Sequence, residues 1–147
     1  MNQPKPLRLY LKLHLDILDA PAWRATSAAG RLLYIALRRR HNSKHNNNGD
    51  IFISQREAAE ELGLTRPTVA KCFRELEHFG FIVMTSPGCL GVEGKGKAPH
   101  WRLTELETAD EPPTMDFKRW KGIRFQRKKR SQARPRTALL AIAEHAS

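Results

Sequence analysis

The stretch EAAEELGLTRPTVAKCFREL constrains the fold most, because it places one glycine between two segments with helical spacing. Ser54 and Glu57 form the S-x-x-E pattern of a capping box, which predicts where the first of these helices begins. Gly63 ends that helix, and Thr65 is a side-chain cap for the second. Two short helices are therefore predicted to meet at a tight corner.

The residues around this corner have the sizes that crossing helices require. Ala59 lies four residues before Gly63 and Val69 lies six after it, which puts a small residue and a β-branched residue where the helices cross. Other apolar side chains occupy the remaining inward positions: Ala58, Leu62, Leu64 and Cys72. The pattern predicts a helix-turn-helix whose second helix stops at Gly80.

The flanking sequence predicts one more helix and a hairpin. Ser27 caps a helix that ends in three arginines and has an apolar stripe of Ala29, Leu32, Leu33, Ala36 and Leu37. The asparagine-rich stretch HNSKHNNNGD is predicted to be a loop, and Ile51 to Ile53 a short β-prone segment. Phe81 to Thr85 and His100 to Thr104 are predicted as antiparallel strands that the glycine-rich SPGCLGVEGKGKAP joins.

The two ends of the chain differ from this central part. Alternating residues at Leu7 to Leu13 predict a strand, followed by a helical turn at about Asp16 to Ala25. Several acids follow Glu105, and Lys118 to Arg136 then holds ten Lys or Arg and no acid. We therefore predict a tail at 1–6, one domain at 7–104, and an acidic linker with a basic, disordered C-terminal arm at 105–147.

SQREAAEELGLTRPTVAKCFRELEHFGFI resembles the helix-turn-helix of the GntR class of bacterial regulators, over about Ser54 to Ile82. The resemblance implies an α+β winged helix-turn-helix, with a three-helix core and a β-hairpin wing, that binds double-stranded DNA. It also implies that Arg66 contacts bases. The predicted wing is longer than is usual in that class, and no effector-binding domain is expected. PAWRATSAAGRLLYIALRRR and the small size resemble helix-turn-helix proteins of phages, plasmids and other mobile elements, some regulatory and some replicative.

The outward side of the second helix carries groups that suit a major groove. Its first turn offers backbone N–H groups and two hydroxyls to phosphate, while Arg66 or Lys71 can reach guanine. The predicted DNA-contacting residues are Thr65, Arg66, Pro67, Thr68, Ala70, Lys71 and Arg74 on the helix, with Lys95, Lys97 and Arg102 on the hairpin. The alternative interpretations are a solvated helix face and a flexible hairpin tip.

Composition agrees with an acidic partner. The chain has 26 Lys and Arg against 15 Asp and Glu, a net charge of +11, which favours nucleic acid first and an anionic membrane second. No apolar run approaches the roughly 20 residues of a membrane span, and the N-terminus lacks the pattern of a secretory signal. We expect a cytoplasmic, nucleoid-associated protein that has no membrane partner and whose two cysteines are free thiols.

Three functions remain open from the sequence. The first is transcriptional regulation by sequence-specific DNA binding, with a homodimer as an open question. The second is a replication initiation protein that binds origin repeats and contacts the replication machinery through its arm. The third is a protein- or RNA-interaction module. An enzyme is not expected, since no catalytic set, metal site or cofactor motif is found: His41 and His45 lack a third ligand, and Ala98 replaces the Ser or Thr of a phosphate loop.

Overall fold

The structure, a computed structural model, describes residues 10–89 and 96–126. Within these ranges the chain forms five α-helices, one antiparallel hairpin and one 3-10 helix. The elements are α1 (Leu15–Leu18), α2 (Pro21–Ala25), α3 (Ala28–Arg39), α4 (Gln55–Leu62), α5 (Arg66–His78), β1 (Ile82–Ser86), β2 (His100–Leu103) and the 3-10 helix Asp116–Arg119. The predicted α+β class is confirmed, and the arrangement is compatible with a winged-helix-like fold.

The corner between α4 and α5 has the predicted local structure. Ser54 and Glu57 form both hydrogen bonds of the capping box. Gly63 has a left-handed backbone with φ of 66°, and the Leu64 amide donates back to the Ala59 carbonyl at 3.0 Å. This hydrogen bond across a left-handed glycine is that of a Schellman motif, and the same Ala59 carbonyl also accepts from the Gly63 amide.

Helix α3 begins at the predicted cap, where the Ser27 hydroxyl accepts a hydrogen bond from the Gly30 amide. The predicted stripe is confirmed for Leu33, Ala36 and Leu37, which are buried, and Ala29 is partly buried. Leu32 is 44% exposed, so its prediction as a core residue is wrong. Tyr34 lies in the core in its place.

The predicted strand near the N-terminus is wrong for its described residues. Tyr10 to Leu13 has no regular structure, and residues 7–9 lie outside the described ranges. Tyr10 is 75% exposed and Leu11 is 37% exposed, and of the described residues of the predicted apolar face only Leu13 packs partly against the core. Without a buried face, alternation alone does not specify pairing. The predicted helical turn after it is confirmed as α1 and α2.

The hairpin pairs β1 with β2 in antiparallel register, as predicted, with Ile82 opposite Leu103 and an irregularity after Met84. Ile51 adds a bridge to Trp101 on the other side of β2, through hydrogen bonds of 2.8 and 3.3 Å. The predicted loop after α3 is confirmed, and its buried Asn48 is bonded to the end of β2. Loop and hairpin are therefore packed as one unit.

The core extends beyond the predicted domain end at residue 104. Phe117 is 2% exposed and stacks on Phe81, with ring centroids 5.2 Å apart. The Met115 amide donates to the Thr104 carbonyl at 2.8 Å, and the Thr104 hydroxyl donates to the Gly80 carbonyl at 2.7 Å. Glu105, Met115, Phe117, Trp120 and Phe125 thus belong to the packed domain, which differs from the predicted linker and arm, whereas residues 109–113 are exposed. Residues 127–147, the larger part of the predicted arm, lie outside the described ranges.

Candidate nucleic-acid interface

Helix α5 has a buried side and an outer side. At about 100° per residue, its buried residues Val69, Cys72 and Leu76 lie together and face the core. The opposite side, which we call the outer face, carries Pro67, Ala70, Lys71, Arg74 and His78. Five predicted outward positions are therefore brought together on one helix surface, as the periodicity indicated.

The first turn of α5 is more fully bonded than the sequence suggested. The Thr65 hydroxyl accepts from the Thr68 amide at 3.4 Å and lies 2.9 Å from the Thr68 hydroxyl. Pro67 has no N–H to offer. Arg66 is exposed at the edge of the outer face. Contacts from this end of the helix therefore depend on the Arg66 side chain more than on backbone amides.

Arg66, Lys71 and Arg74 on α5 have no acidic partner in the described residues, whereas 7 of the 14 other described Arg and Lys side chains form an ion pair. Elsewhere, Arg and Lys side chains form ion pairs with nearby acids: Arg38 with Glu105, Arg39 and Arg40 with Glu61, Arg56 with Glu60, Lys118 with Asp16 and Arg119 with Asp116. Within the described ranges, no ion pair involves Arg66, Lys71 or Arg74. Their charge is therefore available to an anion from solution.

The three predicted hairpin residues do not form one set. The Arg102 side chain is only 17% exposed and is held by Glu111 in an ion pair of 2.5 Å, so an acid already occupies the guanidinium predicted to contact phosphate. Lys97 is exposed, and its backbone forms an antiparallel β-bridge with Cys89 across the hairpin. Lys95 lies outside the described residues. Of these three, only Lys97 is observed at the surface without an acidic partner in the described chain.

A buried acid fixes α5 against α3. Glu75 is 3% exposed, and its carboxylate accepts from both the amide and the hydroxyl of Ser27, at the start of α3. A Cβ on Gly30 would lie 2.9 Å from a carboxylate oxygen of Glu75, so the glycine makes room for this contact. A negative charge at a helix N-terminus is favourable because the backbone dipole is positive there. The buried role of Glu75 was not predicted, although Glu75 is next in sequence to Leu76 of the apolar stripe.

A second buried acid binds side chains in the C-terminal half of α3. Glu105 is 1% exposed, and its carboxylate is bonded by the Tyr34 hydroxyl at 2.5 Å, Arg38 at 3.0 Å and His14 at 2.8 Å. Burial, together with the Glu105 carboxylate, raises the pKa of Tyr34 well above its ordinary value. This network explains why Tyr34 lies inside: its hydroxyl has a partner there.

Residues Trp120–Gln126, which we call the strap, lie along the C-terminal half of α5. Trp120 packs edge-on against Phe79 with centroids 5.2 Å apart, and Phe125 contacts His78 at 5.6 Å. The His78 Nε2 donates to the Ile123 carbonyl oxygen at 2.7 Å. His78 is exposed, as expected, and is also bonded to the strap. Aromatic residues within a basic segment were the sequence signal for this contact.

Other site types have little support in the described part of the chain. Residues 10–89 and 96–126 contain no group of three or more His, Cys, Asp or Glu placed to hold a metal ion. Cys72 and Cys89 are free thiols, as predicted, and burial raises the pKa of Cys72. No helix within these ranges is long and apolar enough to cross a bilayer.

Comparisons of the sequence and structure with protein-family models, curated proteins and solved structures give no match.

Proposed function

We propose that this protein binds double-stranded DNA with sequence preference, through a winged helix-turn-helix in which α5 is the recognition helix. The observation that carries the proposal is the outer face of α5. It is backed by a packed core, it follows a left-handed glycine corner, and it presents Lys71 and Arg74, with Arg66 at its edge, to solvent without acidic partners in the described chain.

The size of α5 suits a major groove. Thirteen residues give a helix about 20 Å long, and a groove about 12 Å wide admits one helix with its side chains. Arg74 lies in the middle of the outer face, and Ala70 beside it leaves space for close approach. Arg66 sits at the N-terminal end, where recognition helices commonly contact base edges. We assign base reading to Arg66 and a backbone or base contact to Lys71 and Arg74.

The test compares binding of variants to a selected duplex and to a scrambled one. A preferred sequence is first obtained by selection from random duplexes with the full chain. Arg66→Ala should then weaken binding to the preferred duplex by about 1–3 kcal/mol and relax the preference at one base position. Equal losses on both duplexes would make Arg66 a phosphate contact and not a base reader.

The matched control is Lys12→Gln. Lys12 precedes α1 and lines a pocket with His41 and Leu106 to which no residue of α5 contributes. Its replacement removes one positive charge without touching α5, so affinity should change little beyond the nonspecific effect of net charge. If the full chain selects no sequence, or if Arg66→Ala and Arg74→Gln both bind like the unmodified protein, the proposed interface is wrong.

Transcriptional regulation is the role that we propose for this binding. The replication alternative uses the same interface and differs in where the bound sites lie, at origin repeats instead of promoters. A genome-wide map of bound sites therefore separates the two. A protein- or RNA-interaction module would show no duplex sequence preference in the selection described above.

A further inference from the structure

The strap is anchored to α5 by contacts that involve none of its charges. Its aromatic side chains pack on Phe79 and His78, and a main-chain carbonyl accepts the 2.7 Å hydrogen bond from His78. The backbone immediately before it is also fixed, because Phe117 is buried in the core and Lys118 pairs with Asp16 at 2.8 Å. The cations of the strap, Lys121 and Arg124, remain exposed.

A cleft of about 520 Å³ lies between the strap and α5, next to the contact of Trp120 with Phe79. Lys71 lines it from the helix and Arg124 from the strap, and neither forms an ion pair within the described ranges. Glu75 also reaches the cleft, but Ser27 binds its carboxylate. Two unpaired cations on opposite walls make a site for an oxyanion, with Phe79, Trp120 and Phe125 as apolar walls.

The dimensions of DNA decide where the strap lies if α5 enters the major groove. A helix with its side chains is about 10–12 Å across and the groove is about 12 Å wide, so the two structures do not fit in it side by side. The strap, packed along the C-terminal half of α5, must therefore meet the sugar–phosphate backbone that borders the groove. The DNA group nearest the cleft is then a phosphodiester.

We propose that Arg124 and Lys71 hold one backbone phosphate of duplex DNA in this cleft, and that the strap is the element that positions Arg124. The inference rests on the proposed function and adds a contact from outside the helix-turn-helix. A preordered guanidinium loses less side-chain freedom on binding than one on a mobile segment, so its anchoring increases affinity without adding charge. Arg124 contacts DNA, and Trp120 is a positioning residue.

The experiment measures affinity against salt concentration for the full chain and four variants on the selected duplex. Arg124→Gln removes the charge and leaves the aromatic anchors. It should weaken binding about tenfold at low salt and reduce the magnitude of the slope of log K against log salt by about 0.9, the value for one phosphate on B-DNA. The sequence preference should stay the same, since phosphate contacts carry no direct sequence information.

Trp120→Ala keeps every charge and removes an anchor. It should reproduce most of the affinity and slope loss of Arg124→Gln, and the double variant Trp120→Ala/Arg124→Gln should lose little more than either single variant. Thermal melts establish that each variant is folded under the assay conditions. The fourth variant, Lys12→Gln, is the control for net charge and should keep the slope of the unmodified chain.

Each alternative outcome contradicts the inference in a different way. An unchanged slope in Arg124→Gln means that the guanidinium contacts no phosphate, and additive losses mean that Trp120 does not position it. Tighter binding in Trp120→Ala means that the strap covers the interface as an inhibitory segment. If Arg74→Gln, measured in parallel, weakens binding while the strap variants do not, only this inference fails. If Arg74→Gln and Arg66→Ala also have no effect, the proposed function fails with it.

Discussion

Replacing Gly80 by alanine tests the contact that brings the strap to α5. Gly80 ends α5 with φ of +85°, and a Cβ there would lie 2.7 Å from the Asp116 carbonyl carbon and 2.8 Å from the Phe117 amide nitrogen. Both are backbone atoms, so rotation of a side chain cannot relieve the clash. Gly63, at the other corner, has φ of +66°, and a Cβ there would meet nothing within 4 Å.

The two glycines therefore separate backbone strain from crowding. A left-handed backbone costs about 1–2 kcal/mol for a residue with a Cβ, and this applies to both Gly63→Ala and Gly80→Ala. Overpacking adds about 1–3 kcal/mol at Gly80 alone. The expected losses in the free energy of unfolding are about 1–2 kcal/mol at residue 63 and about 2–5 kcal/mol at residue 80.

Urea unfolding followed by tryptophan fluorescence measures both losses. Trp23, Trp101 and Trp120 all contribute to this fluorescence, and a coincident transition by far-UV circular dichroism would show that the domain unfolds as one unit. Gly63→Asn is the control, because asparagine tolerates the left-handed region and should lose less than alanine does. Equal losses for Gly63→Ala and Gly80→Ala would refute the close packing of the 116–117 backbone on Gly80.

Three further predictions concern buried polar groups. Glu75→Gln should lower the free energy of unfolding by about 1–2 kcal/mol in urea titrations, because a neutral acceptor replaces the charged one that binds Ser27; no change would remove Glu75 from the packing of α3 on α5. Asn48→Ala should cost about 2–4 kcal/mol in the same assay, since its amide bonds several backbone groups at the end of β2, and a loss below 1 kcal/mol would contradict this. The pKa of Tyr34 is raised in the folded protein, so as the pH rises the unfolded chain loses this proton first. The free energy of unfolding should therefore fall above pH 10, by up to about 1.4 kcal/mol per pH unit. Tyr34→Phe should lack this component of the alkaline loss in melts from pH 9 to 11, whereas Tyr10→Phe should retain it.

The corner was predictable because its signals are local. The capping box spans Ser54 to Glu57, and the hydrogen bond from Leu64 to Ala59 closes around a single glycine. Each of these depends on residues fewer than six positions apart, and each has few alternatives once the glycine is placed. The outer face of α5 followed from the same local periodicity. For this reason the predicted helix positions of the candidate site lie together.

The remaining features depend on partners far along the chain. Leu32 was predicted to lie on the inner side of α3, but Tyr34 is buried there instead. The hydroxyl of Tyr34 binds Glu105, which lies 71 residues later in the chain. Arg102 was predicted to contact phosphate, but its guanidinium forms an ion pair with Glu111. Phe117 lies in a charged segment whose composition indicates a linker, yet its ring is buried and stacks on Phe81, and the Met115 amide binds the Thr104 carbonyl. Amino-acid composition describes a whole segment, so it does not predict a single long-range contact of this kind.

Two attachments hold α5 in place, and variants at them separate contact residues from positioning residues by experiment. Glu75 binds the start of α3, and the strap binds His78 and Phe79 at the end of the helix. A variant at either attachment changes the placement of the outer face without changing its charges. Loss of a phosphate contact lowers the salt slope, whereas a shift of the whole helix weakens preferred and scrambled duplexes unequally, because base contacts depend on distance and angle more strongly than phosphate contacts do. Glu75→Gln should therefore reduce the preference for the selected sequence while leaving the slope on nonspecific DNA near that of the unmodified chain, the opposite of the pattern expected for Arg124→Gln.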